Sequence, residues 1–70
     1  MNDIEQLCDQ CATQGVEAVL PSLDAREDIE ALAQACLARA QQAKEQGDQS
    51  TSDRLIGAAQ YLNYLLLPYD

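Results

Sequence analysis

The sequence contains no histidine, tryptophan or phenylalanine, and only four of its 70 residues are basic. Histidine is the commonest metal ligand and the side chain most suited to acid–base chemistry at neutral pH. The chain also lacks a glycine-rich phosphate loop and any motif typical of a catalytic nucleophile. We therefore expect a non-enzymatic protein with no catalytic residue, no cofactor and no metal.

Disulfide bonds are also unexpected, because the three cysteines are an odd number. An odd count argues against a complete disulfide framework and fits a reducing compartment. Cys8 and Cys11 form a CxxC pair, but their acidic neighbours disfavour a thiolate. A zinc site would need a fourth ligand, which no other cysteine or histidine supplies. The sequence indicates that Cys8, Cys11 and Cys36 are small buried hydrophobic residues.

No apolar run approaches the roughly 20 residues that a membrane-spanning helix requires. The N-terminal residues MNDIEQLC are acidic, whereas a secretory signal begins with basic residues followed by an apolar segment. These two features predict a cytoplasmic protein without a membrane partner.

Negative charge is abundant: twelve acids against four bases give a net charge of −8. Residues 1–30 hold eight acids and one base, and so account for −7 of it. Such a chain is unsuited to direct contact with nucleic acid, whereas a protein partner with a basic surface is permitted. The alternative is that the acidity only keeps a small apolar bundle in solution.

Apolar residues recur at helical spacing in three segments, which predict helices at about residues 3–20, 24–46 and 53–67. The predicted fold is a small all-α three-helix bundle, and residues 1–70 form one domain. A single core of this size rarely supplies more than about 3–5 kcal/mol, so a partner subunit would be an economical support. We therefore also expect a homodimer, for example a pair of helical hairpins.

The central helix has the clearest signals. Asp24 is placed to cap it, and Glu27 three residues later completes a capping-box pattern. Gly47 can adopt the left-handed conformation that ends a helix. Its predicted buried stripe consists of Ile29, Leu32, Ala33, Cys36, Leu37, Ala40 and Ala43.

The ends of the other two helices allow alternatives. Gly15 either stops the first helix or lies within a helix that continues to about Leu20. The unbroken apolar periodicity favours the longer helix, despite the roughly 1 kcal/mol that an internal glycine costs relative to alanine. The third helix would be capped by Ser50 or Ser52, after the polar loop GDQSTS.

Two sets of residues are candidate binding sites. The first is an acidic face on the N-terminal helix, without a basic residue nearby in sequence: Asp3, Glu5, Asp9 and Glu17. The second set is apolar, lies outside the main stripe of the third helix, and would bind a partner or a second copy: Ile56, Tyr61, Tyr64 and Leu67.

No motif identifies a family, so function is inferred from these surfaces alone. The leading hypothesis is an acidic module that regulates or inhibits a partner protein, for example by covering its nucleic-acid-binding surface, as inhibitors from phages and mobile elements do. The alternative is a structural or secretion-chaperone-like subunit that packs its apolar C-terminal helix against a partner or itself. Charge-driven binding weakens with salt, whereas binding through an apolar helix face does not.

Overall fold

Helices α2 (Arg26–Glu45) and α3 (Gln49–Leu66) form an antiparallel hairpin, and the shorter helix α1 (Ile4–Gln14) packs against both. Two single-turn 3₁₀ helices, Val16–Ala18 and Leu20–Ser22, connect α1 to α2. The computed structural model describes residues 3–67 of the chain. Within this range the protein is an all-α helical bundle, as predicted. The predicted domain, residues 1–70, includes a few terminal residues that lie outside the described range.

The first helix ends at Gln14, so the favoured prediction that it continues to about Leu20 is wrong. Gly15 adopts φ 95° and ψ 165°, and its N–H donates to the carbonyl of Cys11 at 3.2 Å. The glycine therefore stops the helix, which was the alternative reading. The apolar periodicity continues past it because Val19, reached by the 3₁₀ turns, still packs into the same core.

The central helix begins at Arg26 and not at Asp24. Ala25 occupies the N-cap position with extended backbone angles and no side-chain cap, so the predicted capping box is not formed. At the other end Gly47 has φ 83°, as predicted for a helix stop. The Asp48 N–H donates to Ala43 O at 2.8 Å and the Gly47 N–H donates to Lys44 O, which is the Schellman arrangement.

Helix α3 begins four residues earlier than predicted. Asp48 is its N-cap, and the carboxylate accepts a hydrogen bond from the Thr51 N–H at 3.2 Å. Bonds from Thr51 hold the pKa of the Asp48 carboxyl below its usual value. Ser50 and Ser52 are therefore inside the helix, and Ser52 is buried. The predicted polar loop is short because the turn that ends α2 leads directly into this cap.

The core lies where the three helices meet. Its fully buried large side chains are Leu32, Leu55, Leu62 and Val19, and the three cysteines lie beside them. All three cysteines are free and buried, as predicted from their positions on the apolar stripes. Alanines fill the remaining helix contacts, which lets the helices approach closely: Ala33, Ala40, Ala43, Ala58 and Ala59.

Gly57 lies in the middle of α3 on its exposed side, where glycine has no structural use in the folded monomer. Its backbone is helical, and a Cβ built there meets no atom within 4 Å. Glycine is less favourable than alanine in a helix interior by roughly 1 kcal/mol, chiefly through backbone entropy. Gly57→Ala is therefore expected to stabilise the protein by up to about 1 kcal/mol in urea unfolding. A loss of stability would show that this position packs against something.

Candidate functional site

The four acids of the predicted acidic face are all exposed, but the structure gives them different surroundings. Asp3 is the N-cap of α1 and accepts a hydrogen bond from the Glu5 N–H at 3.1 Å. Asp9 pairs with Arg39 of α2 at 2.5 Å. Glu17 lies beyond the end of α1, on the first 3₁₀ turn. No basic residue lies near these acids in sequence, but the fold brings Arg39 to Asp9.

The ion pair lies beside an open groove of about 420 Å³ between α1 and α2, lined by Glu5, Cys8, Ala35, Ala38, Arg39 and Gln42. The pKa of Arg39 is raised by its hydrogen bond to Asp9, and Glu5 contributes to the same effect. Cys8 is only 1% exposed, so the groove presents no accessible thiol. Its chemistry is limited to charge and hydrogen bonding.

Two arginines bind the carbonyl groups that remain free at helix ends. Arg54 of α3 donates from Nη1 to Ala12 O at 3.0 Å and to Thr13 O at 3.3 Å, at the C-terminus of α1. Arg26 of α2 donates to Leu66 O at 3.3 Å, at the C-terminus of α3. A cation at this end also interacts favourably with the helix dipole.

These contacts leave few basic groups for the surface. Arg39 pairs with Asp9, and Arg26 also pairs with Glu30 at 3.4 Å. Among residues 3–67, only Lys44 is a basic side chain without an ion pair or hydrogen bond of its own. Several acids in the same range likewise have no side-chain hydrogen bond or ion pair, and these are Glu5, Glu17, Asp24, Glu27 and Glu45. The exposed charge that is not compensated locally is therefore mainly negative.

The four apolar residues predicted as a docking face are all exposed: Ile56 by 37%, Tyr61 by 42%, Tyr64 by 67% and Leu67 by 68%. At about 100° per residue, Ile56 and Leu67 lie within roughly 20° of each other around α3. Tyr64 lies about 80° from Ile56, and Tyr61 about 140° from it. Ile56 and Leu67 thus share one side of α3, about three turns apart along its axis, and Tyr61 lies on a different side.

Leu37 of α2 is an exposed residue that the sequence analysis placed in the buried stripe. It is 46% exposed, whereas its neighbour Cys36 is fully buried. The signal was present in the sequence, because residues seven apart share a helix side and both such neighbours of Leu37 are charged, Glu30 and Lys44. That pattern is typical of a surface position.

The three thiols form a cluster between α1 and α2. Contact with the Cys11 thiol, together with burial, raises the pKa of Cys36 well above its ordinary range. Burial also raises the pKa of Cys8. Cys8 and Cys36 are therefore held in the protonated form, which neither nucleophilic attack nor metal binding uses. The hydrogen bond with Cys36 instead lowers the pKa of Cys11.

Comparison with known proteins found no match: no protein-family model, curated protein or solved structure is similar to this chain. Among the residues that the structure describes, no group of cysteine and acidic side chains is arranged to hold a metal ion. No helix in that part of the chain has the length and apolar character needed to cross a membrane. A function is therefore inferred from the surfaces described above.

Proposed function

We propose that the protein is a small acidic, non-enzymatic module that binds a basic protein partner and regulates or inhibits it. One way to do so is to cover a nucleic-acid-binding surface of the partner. The observation that carries the proposal is the internal use of all three arginines, at two helix C-termini and in ion pairs with Asp9 and Glu30. The acids that remain unpaired face solvent without compensation.

This arrangement favours association with a cationic surface. An uncompensated charge attracts an oppositely charged partner over about one Debye length, roughly 8 Å at physiological salt. It raises the association rate more than it raises the final affinity. The same charge repels nucleic acid and anionic lipid, so a protein is the better partner. Three free buried cysteines support a reducing, cytoplasmic location.

The contacts on α1 can be refined within the predicted acidic set. Asp3 and Asp9 already stabilise the fold, as a helix cap and an ion pair. Glu5 lies at the groove, and Glu17 lies beyond the end of α1 with no ion pair. We therefore infer that Glu5 and Glu17 are the acids available to a partner on this side of the molecule.

Charge reversal tests the proposal. A basic partner captured from host extract would be purified, and its association rate measured with wild type and with Glu5→Lys/Glu17→Lys. We expect association to slow by about tenfold or more at low salt, with a smaller difference at high salt. Circular dichroism should show unchanged helicity.

Glu27→Lys/Glu45→Lys is the matched control, because it changes the net charge equally but replaces acids on α2. It should retain most of the wild-type association rate. If both double variants slow association equally, the effect depends on net charge and not on the position of the acids. No slowing in either variant would mean that the acidity serves only to keep the protein in solution.

A second candidate function is a structural or chaperone-like subunit that packs the apolar part of α3 against a partner or a second copy. The exposure of Tyr64 and Leu67, about two-thirds in each case, favours it. Burial of such side chains is a driving force that salt does not weaken. This candidate includes the expected homodimer.

A further inference from the structure

The α2–α3 hairpin has one side that α1 does not cover. Arg39 and Arg54 both contact α1, through Asp9 and through the carbonyls at the end of that helix. Residues two positions apart lie about 200° from each other around a helix. Leu37, two residues before Arg39, and Ile56, two residues after Arg54, therefore lie on the side of the hairpin away from α1. We name this side the outer face.

The outer face carries the exposed apolar residues at its centre. The bond between Arg26 and Leu66 O and the turn at residues 46–48 set the register of the two helices. Leu37 is the midpoint between Arg26 and Asp48, and it is level with the middle of α3, where Ile56 lies. Two helices of this length give a footprint of about 600 Å², comparable to the roughly 800 Å² that each partner contributes to a typical stable interface.

The charges on this face follow a regular order along α2. Glu30, Leu37 and Lys44 are seven residues apart, and therefore form one stripe along the helix. Arg26 lies further out on the same side of α2, eleven residues before Leu37. Along α2 the stripe therefore reads positive, negative, apolar, positive.

Two copies of this stripe have complementary charges only when they run in opposite directions. We propose that the outer face binds a second copy of the chain with α2 antiparallel to its counterpart, Leu37 on the two-fold axis and Glu30 of each copy opposite Lys44 of the other. A parallel arrangement would place Glu30 on Glu30 and Lys44 on Lys44, which is repulsive. The apolar centre buries Leu37 and, beside it on α3, Ile56.

The inference rests on the self-association included in the second candidate function and assigns its interface. The charge order selects a second copy as the occupant, because an unrelated partner would require no such symmetry. Lys44 has no ion pair in the monomer, and the bridge between Glu30 and Arg26 is exposed and long at 3.4 Å. Exposed pairs of this kind contribute little, so Glu30 can turn to a new partner at small cost.

Sedimentation equilibrium of the purified protein gives the first test. Wild type should have twice the monomer mass of 7.7 kDa at micromolar concentration. Leu37→Lys should be monomeric, because it places two lysines together at the two-fold axis, whereas the half-exposed site tolerates the change in the monomer. Ala38→Lys adds the same charge about 100° away and should leave the dimer intact.

Charge exchange gives the second test. Glu30→Lys alone and Lys44→Glu alone should each weaken the dimer by at least about tenfold, because each places like charges opposite each other. An equimolar mixture of these two variants should form a heterodimer, since every pair in it is complementary. The double variant Glu30→Lys/Lys44→Glu should dimerise like wild type. Rescue by mixing also shows that the single variants are folded.

Three results would overturn the inference. If wild type is a monomer at these concentrations, both self-association and the proposed interface are wrong. If wild type is a dimer that Leu37→Lys leaves intact, the protein self-associates through a different surface. If the two single charge variants fail to form a heterodimer, the antiparallel arrangement is wrong. These experiments use the purified chain alone, so none of these outcomes tests the proposal that the acidic surface binds a basic partner.

Discussion

Replacing Gly15 by alanine should destabilise the protein by about 1–3 kcal/mol, the usual cost of holding a residue in an unfavourable backbone region. Gly15 adopts φ 95° and ψ 165°, a region that only glycine enters without strain. No atom lies within 4 Å of a Cβ built at this position. The cost therefore comes from the backbone itself and not from a clash with neighbours.

Gly57→Ala is the matched control for this substitution. The same change is expected to stabilise the protein at position 57 and to destabilise it at position 15, because Gly15 has a positive φ and Gly57 does not. Urea unfolding followed by circular dichroism measures both. If Gly15→Ala were as stable as wild type, the helix could continue through residue 15, and the end of α1 at Gln14 would be wrong.

Apolar periodicity predicted that three helices form, but it could not show where the first one ends. Such a pattern records which side chains enter the core and says nothing of the backbone that carries them. Val19 is fully buried although a 3₁₀ turn, not α1, brings it there. The glycine signal at position 15 was correct, and the periodicity concealed it.

Helix starts were missed for a related reason. Asp48, Ser50 and Ser52 are all residue types that cap helices, and composition alone does not distinguish among them. Asp48 is the cap because the chain reverses direction at Gly47, directly after α2, and the next helix starts at once. The N-cap position of α2 is occupied by Ala25, which has no capping side chain and which no sequence rule would have selected.

The candidate sites depended on contacts that the sequence does not display. Asp9 and Arg39 are thirty residues apart, and Arg54 binds carbonyls some forty residues earlier in the chain. The acidic set therefore looked uncompensated, although one of its members is paired. Exposure of the apolar residues in α3 was easier to predict, because two other helices cannot cover every side of a third.

Replacing Cys8 and Cys11 together by alanine is expected to cost about 2–4 kcal/mol, or roughly 1–2 kcal/mol for each small truncation. Both side chains are at most 1% exposed, so each replacement leaves an empty space where α1 contacts α2. Binding to a protein partner should be retained in the variants that remain folded. The expected role of these cysteines is to fill the core.

Gln6→Ala/Gln14→Ala is a suitable control, since it truncates two exposed residues of the same helix and should stay within about 0.5 kcal/mol of wild type. Urea unfolding gives the stabilities. A thiol reagent gives a second measurement: all three native thiols should react slowly and become reactive on unfolding. A double cysteine variant with wild-type stability and lost partner binding would instead indicate a functional CxxC pair.

The dependence of stability on alkaline pH also tests whether the cysteines are buried core residues or a reactive CxxC pair. Burial raises the pKa of Cys8 above its ordinary value of 9.0, and the pKa of Cys36 is raised as well. Above about pH 9 the thiols of the unfolded chain ionise while these buried thiols do not, so ionisation favours the unfolded state. Wild type should therefore lose stability as pH rises through this range. The lowered pKa of Cys11 acts in the opposite direction. Cys8→Ala removes one of the two raised groups and should lose less stability than wild type, whereas identical pH profiles would contradict the buried, protonated state of Cys8.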